Sequence, residues 1–209
     1  MVAIACAALS LLPAVADAAT QEDSTQFSVN TGLLAFLTEP AVPTLGPVTL
    51  NGRAQTVNAT MDLFSVIDAT GLGAGWNVTV EGQSGAGKSA VFAQYCQKAK
   101  CGGDSEGYVG GGQKLPADSL TLNSSGASFL PGLGGSGAAP TLQCATACDV
   151  DSVTPEKIAS AVLEAGLGTW LTAGFSTSSI ALAIPTTVKV LPNGEIYRVN
   201  LTWTLGVGP

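Results

Sequence analysis

The chain has 209 residues, 46% of them hydrophobic and only 11% charged, which places it among folded chains with one sizeable core and outside the low-hydropathy, high-charge disordered class. Its formal net charge is −7, and the eight Lys and Arg are scattered. No basic surface for nucleic acid is formed, so no nucleic-acid partner is expected.

Residues 1–18 read as a signal peptide. An apolar run from Val2 to Val15 ends in Ala16-Asp17-Ala18, where small residues suit signal peptidase, and the mature chain is expected to start at Ala19 as a single domain over 19–209. No basic residue precedes the run, a departure from a full export signal. The run falls short of the roughly 20 apolar residues a spanning helix needs, and no second one follows, so a secreted, extracellular protein without its own membrane anchor is expected. Cys6 is a poor lipidation site because the apolar run continues past it.

Phe27–Asn30 and Leu33–Leu37 are short apolar segments cut by Gly32 and Pro40, as strands are. Val48–Leu50, Ala54–Ala59 and Met61–Asp68 continue a period-two pattern. Trp76–Val80 alternates Trp, Val and Val with Asn77 and Thr79, the mark of a half-buried antiparallel strand. Ser84–Gly112 reads as a long Gly-rich loop with one helical turn near Ala90–Lys98, Leu115–Leu122 as a strand, and Gly132–Ala139 as a second Gly-rich loop. Thr154 as cap, Pro155 at the first position, an Ile158/Val162/Leu163 stripe and Gly166 as stop predict one short helix. Strands are expected at Gly168–Thr172, Ser179–Ile184, Thr187–Leu191 and Ile196–Leu205, the last two joined as a hairpin by Asn193-Gly194. The fold class is all-β, an antiparallel sandwich or barrel-like domain with one short helix and long Gly-rich, disulfide-bearing loops.

Four cysteines follow the leader: Cys96, Cys101, Cys144 and Cys148. An even number in an exported chain reads as two disulfides. Of the three possible pairings, the local one, Cys96 with Cys101 and Cys144 with Cys148, is expected; it closes very short loops that stiffen the loops more than they staple the fold. A zinc site is the rival reading; the spacings and the absence of His weigh against it.

Gly82–Ser89 matches the phosphate-loop pattern GxxxxGK[ST], with Lys88 and Ser89 in the nucleotide-holding places. An exported protein meets little ATP, and the surrounding pattern is antiparallel rather than strand-helix-strand, so neither nucleotide nor any other cofactor is expected. Without His, triads and His-based metal-protease motifs are excluded. Asp62, Asp68 and Glu81 invite a glycosidase pair, but turn-capping Asp and solvent-facing Glu are the ordinary reading beside Gly and alternating strands. No catalytic activity is expected. Asn58, Asn77, Asn123 and Asn200 begin Asn-x-Ser/Thr triplets that strand alternation generates by chance. Leu191–Glu195 lacks the Thr and the following apolar tail of a sortase site. Trp76, Trp170 and Trp203 invite sugar stacking; their alternation with polar neighbours favours packing for Trp76 and Trp203.

Gly71-Leu72-Gly73-Ala74-Gly75-Trp76-Asn77-Val78 and Leu201-Thr202-Trp203-Thr204-Leu205 resemble the two motifs of the WxL domain, a bacterial surface domain. Leu45–Leu50, Val66–Gly71, Leu115–Ala117, Gly166–Trp170 and Tyr197–Leu205 follow the order seen in that family, so the resemblance spans nearly the whole mature chain. It implies non-covalent attachment to peptidoglycan, with Trp76, Trp203 and Leu205 as the wall-binding motif, and membrane-anchored partner proteins encoded nearby. The cysteine-bearing loop after Glu81 and the Pro155–Ala165 segment depart from the pattern. The alternative is a structural or adhesive surface protein that binds another protein and reaches the wall indirectly.

Overall fold

The computed structural model describes residues 24–98, 100, 101 and 105–209; residues 1–18, where a signal peptide is expected, and Cys6 lie outside the described residues. Thr31–Pro209 forms one compact unit. The described part of the preceding unit, residues 24–30, is exposed and forms no regular element; Phe27 and Val29, read from the sequence as strand, pair with nothing among the described residues.

The unit is all-β, and every ladder is antiparallel. The first strands are β1 (Leu34–Thr38), β2 (Gln55–Ala59), β3 (Ser65–Asp68), β4 (Trp76–Gly82), β5 (Ala93–Cys96) and β6 (Gly107–Tyr108). β7 (Leu120–Leu122), β8 (Ser128–Pro131), β9 (Thr141–Leu142), β10 (Cys148–Asp149) and β11 (Glu156–Ala161) follow. β12 (Gly168–Ala173), β13 (Ile180–Ile184), β14 (Ile196–Arg198) and β15 (Leu201–Val207) complete the chain. Two four-stranded sheets, β1-β3-β12-β8 and β15-β4-β11-β9, make a sandwich. Its centre is aromatic: Phe129 of β8 meets Trp76 of β4 and Phe64, just before β3, edge-on at 5.8 Å each. A third sheet, β10-β7-β13-β2, adds Leu120, Leu122 and Ile180 to the same core, and a small sheet, β14-β5-β6, carries the first disulfide loop.

The expected helix is replaced by β11. Ile158, Ala159, Ser160 and Ala161 are all buried because this strand is central, between β4 and β9, with both faces covered. Such a strand is a short unbroken apolar run, which periodicity does not separate from a buried helix. Val162 and Leu163, two of the three residues in the supposed stripe, are exposed in the turn that follows. The helical turn near Ala90–Lys98 is likewise strand β5.

The Asn193-Gly194 turn forms, with φ of 54° and 73°, but it closes no hairpin. Residues 187–191 pair with no strand; β14 pairs with β5, and the chain then crosses to β4 as β15. Arg198 over the Tyr95 ring, 4.5 Å from its centroid, holds β14 to β5. Val48–Leu50 also forms no strand, and the strand expected over Leu115–Leu122 is confined to its last three residues.

Cys96 bonds Cys101, and Cys144 bonds Cys148, the local pairing. Just beyond the second disulfide, Asp151 is fully buried. Its carboxylate accepts the backbone N–H of Leu120 at 3.0 Å and of Ser119 at 3.3 Å, pinning the exit of β10 to the start of β7. Burial pushes its pKa above the usual 3.8, since the two N–H bonds offset only part of the lost hydration. The folded state therefore binds this proton more tightly than the unfolded chain. The resulting stabilisation is full below the unfolded value and is lost as pH rises through the folded one. Asp151→Asn is expected to flatten that fall in denaturation titrations taken upward from acidic pH. Asp151→Ala leaves two buried donors unpaired and is expected to cost about 2–4 kcal/mol near neutrality, read by denaturant unfolding.

Candidate functional site

Of the expected motif residues, Trp76 is core. Its ring is wholly inaccessible, and its Nε1–H donates to the Gly166 carbonyl at 3.1 Å. Trp170 is also buried, donating to the Leu167 carbonyl at 3.0 Å. Trp203 differs. On β15 it stands opposite Val80, and Leu205 stands opposite Val78, both Val side chains being inaccessible. Paired residues project to the same side of a sheet, so Trp203 and Leu205 lie on the core-facing side. Both nevertheless remain partly exposed at its margin.

There Trp203 lines a broad groove of about 880 Å³. Leu201 joins it from β15, Val57 and Leu182 from β2 and β13, and the rest of the lining comes chiefly from the segments 40–48, 188–191 and 194–199. Lys189, Glu195 and Arg198 bring charge to an otherwise apolar lining. Tyr197 closes one side by donating its O–H to the Lys189 carbonyl at 2.9 Å, and burial raises its pKa.

The Pro40–Val48 strap did not stand out in the sequence as part of a site. Pro40, Pro43 and Pro47 lack N–H groups, and within the strap the Ala41 carbonyl accepts the Asp62 N–H. Val42, Leu45 and Val48 pack inward. Their three-residue spacing is the legible signal, since an extended proline-rich chain presents every third side chain on one side.

Beside the groove, Asn200 acts as a junction. Its Oδ1 accepts the Tyr108 O–H at 2.6 Å and the Ser89 N–H at 3.2 Å, its N–H donates to the Ser89 carbonyl, and its carbonyl accepts the Gln83 N–H. Tyr95, edge-on to Tyr108 at 5.0 Å, donates to Glu106, and that bond raises its pKa. Burial raises that of Tyr108.

The phosphate-loop match forms no phosphate cradle. Gly82 ends β4, where a Cβ would collide with the Ala90 carbonyl. Gly85 to Lys88 is a tight turn closed by Lys88 N–H to the Gly85 carbonyl at 3.1 Å, and Lys88 Nζ donates to Gln83. Among the described residues no helix follows, so neither a helix N-terminal dipole nor its aligned N–H groups face the loop there. Cys144 and Cys148 lie near Glu156, but their sulfurs are bonded to each other. The three carboxylates are not brought together as a pair: Asp62 precedes β3, Asp68 closes the turn after it by accepting from Thr70, and Glu81 lies on β4 opposite Thr202.

Neither the protein-family models nor the curated proteins nor the solved structures give a match to this chain.

The two motif tryptophans are thus separable by stability. Trp76→Ala is expected to cost ~3–5 kcal/mol. Trp203→Ala, removing a half-covered ring, is expected to cost roughly 1–2 kcal/mol. Thermal melting of the two variants side by side checks the order.

Proposed function

We propose that the protein is an exported, non-catalytic surface module that associates non-covalently with the peptidoglycan of a bacterial cell wall through the groove beside Trp203. The observation that carries this reading is the placement of Trp203, an aromatic ring neither sealed in the core nor free in solvent, on the wall of an open groove. Such a ring offers an apolar face to a sugar ring or to the side chain of a wall peptide. The resemblance of the Trp76 and Trp203 segments to the WxL motifs supports the same reading. Two local disulfides fit an oxidising compartment outside the cell. Trp76, by contrast, serves the motif from inside, by shaping the sheet on which Trp203 stands.

The groove lining is mostly apolar and the chain is net negative, so attraction to acidic wall polymers contributes little. Retention on purified, protein-free peptidoglycan is expected at low and at raised salt. Trp203→Ala is expected to lose that retention while remaining folded. Recovery of the parent protein entirely in the supernatant at both salt concentrations contradicts wall binding and leaves the protein-binding alternative.

A further inference from the structure

β15 has one paired edge and one bare edge. Its ladder with β4 runs from Leu201 opposite Gly82 to Val207 opposite Trp76. Just outside it, the Asn200 carbonyl accepts the Gln83 N–H, and the Gly208 N–H donates to the Gly75 carbonyl. Hydrogen-bonded pairs alternate along an antiparallel ladder. Thr202, Thr204 and Gly206 therefore bond inward to β4, while the backbone groups of Leu201, Trp203, Leu205 and Val207 point away from it. Among the described residues these outward groups have no hydrogen-bond partner. β1, the nearest strand of the facing sheet, pairs only with β3.

Long bare edges invite pairing, and folded proteins ordinarily blunt them with charge, Pro, bulges or shortness. The other outer strands carry such devices or offer less length. β1 is bulged between Phe36 and Thr38, and β8 ends in Pro131. β6, β9 and β10 have two residues each, β14 carries Arg198, and β2 is five residues long. β15 is seven residues long, with no charge, no Pro and no register shift.

We propose that this edge is a self-association surface, through which two copies of the chain join by antiparallel pairing of their Leu201–Val207 strands about a two-fold axis at Thr204. The outward positions are symmetric about that residue. Leu201 faces the partner's Val207, Trp203 faces the partner's Leu205, and each outward N–H and C=O meets its complement. Such an interface is closed, so it stops at a dimer. On the axis stand two exposed, uncharged threonines, which set no like charges against each other. Val207, 65% exposed in the single chain, gains an apolar neighbour across the new ladder. The chain's charge of −7 opposes association, so the dimer strengthens as salt is raised through the physiological range.

Sedimentation of the oxidised protein across the micromolar range is expected to show a reversible monomer–dimer equilibrium. Thr204→Lys sets two like charges on the axis through side chains that face solvent. Val207→Pro removes an outward N–H that β4 does not use, so the ladder to β4 survives. Each is expected to weaken the dimer about tenfold or more with little change in melting temperature. Asn58→Lys, the same charge change on exposed β2, is expected to leave it intact. A parent protein that stays monomeric throughout, or a dimer indifferent to both β15 substitutions, overturns the proposal.

Discussion

The structure hangs on the approach of two turns around the buried ring of Trp76. Gly166, with φ of 67°, lies so close that a Cβ there would stand 2.7 Å from Trp76 Nε1, while its carbonyl accepts the indole proton. Gly75, with φ of 72°, comes against the Ala161 carbonyl. Side chains are excluded at these positions by space as well as by backbone conformation. Only with both turns drawn in does the ring satisfy its one polar atom while filling the sandwich, since an unpaired buried indole N–H is costly.

Everything that positions the groove follows from that contact. β4 begins at Trp76 and is the strand to which both β11 and β15 pair. Fixing its start sets the register of β15, and one residue of slip turns Trp203 from the core-facing side to solvent. The groove then lies between β15 and the residues Val57 of β2 and Leu182 of β13, where the chain supplies a strap in place of another strand. Three prolines suit the strap to that place: they deny it a ladder but leave its apolar side chains free to pack.

The alternation of Trp76–Val80 and of Leu201–Leu205 was legible because each strand has one covered face and one open face. β11 was not, since a strand covered on both faces has no alternation to read, and its Thr154-Pro155 start imitates a helix cap. The Asn193-Gly194 turn was read correctly as a turn and wrongly as a hairpin, because turn chemistry fixes local φ but not which strand the chain joins next. Gly82–Ser89 matched a nucleotide pattern for unrelated reasons: Gly82 yields space to Ala90, and Gly85 and Gly87 make a tight turn. The two disulfides were legible from the even cysteine count, and the local pairing expected from the short spacings is the one the structure has. The partial exposure of Trp203 was beyond reach, since it depends on the strap opposite.

The central claim is that Trp203, of the three tryptophans, meets the wall. The indole protons of Trp76 and Trp170 are bonded to backbone carbonyls inside the domain, whereas the Trp203 ring lines the open groove. Titrating labelled protein with soluble peptidoglycan fragments, while following the three indole N–H resonances by NMR, separates them in one experiment. A saturable shift of the Trp203 resonance, with those of Trp76 and Trp170 in place, is the predicted result. A fragment that binds without moving the Trp203 resonance, or that moves the buried pair instead, contradicts the account.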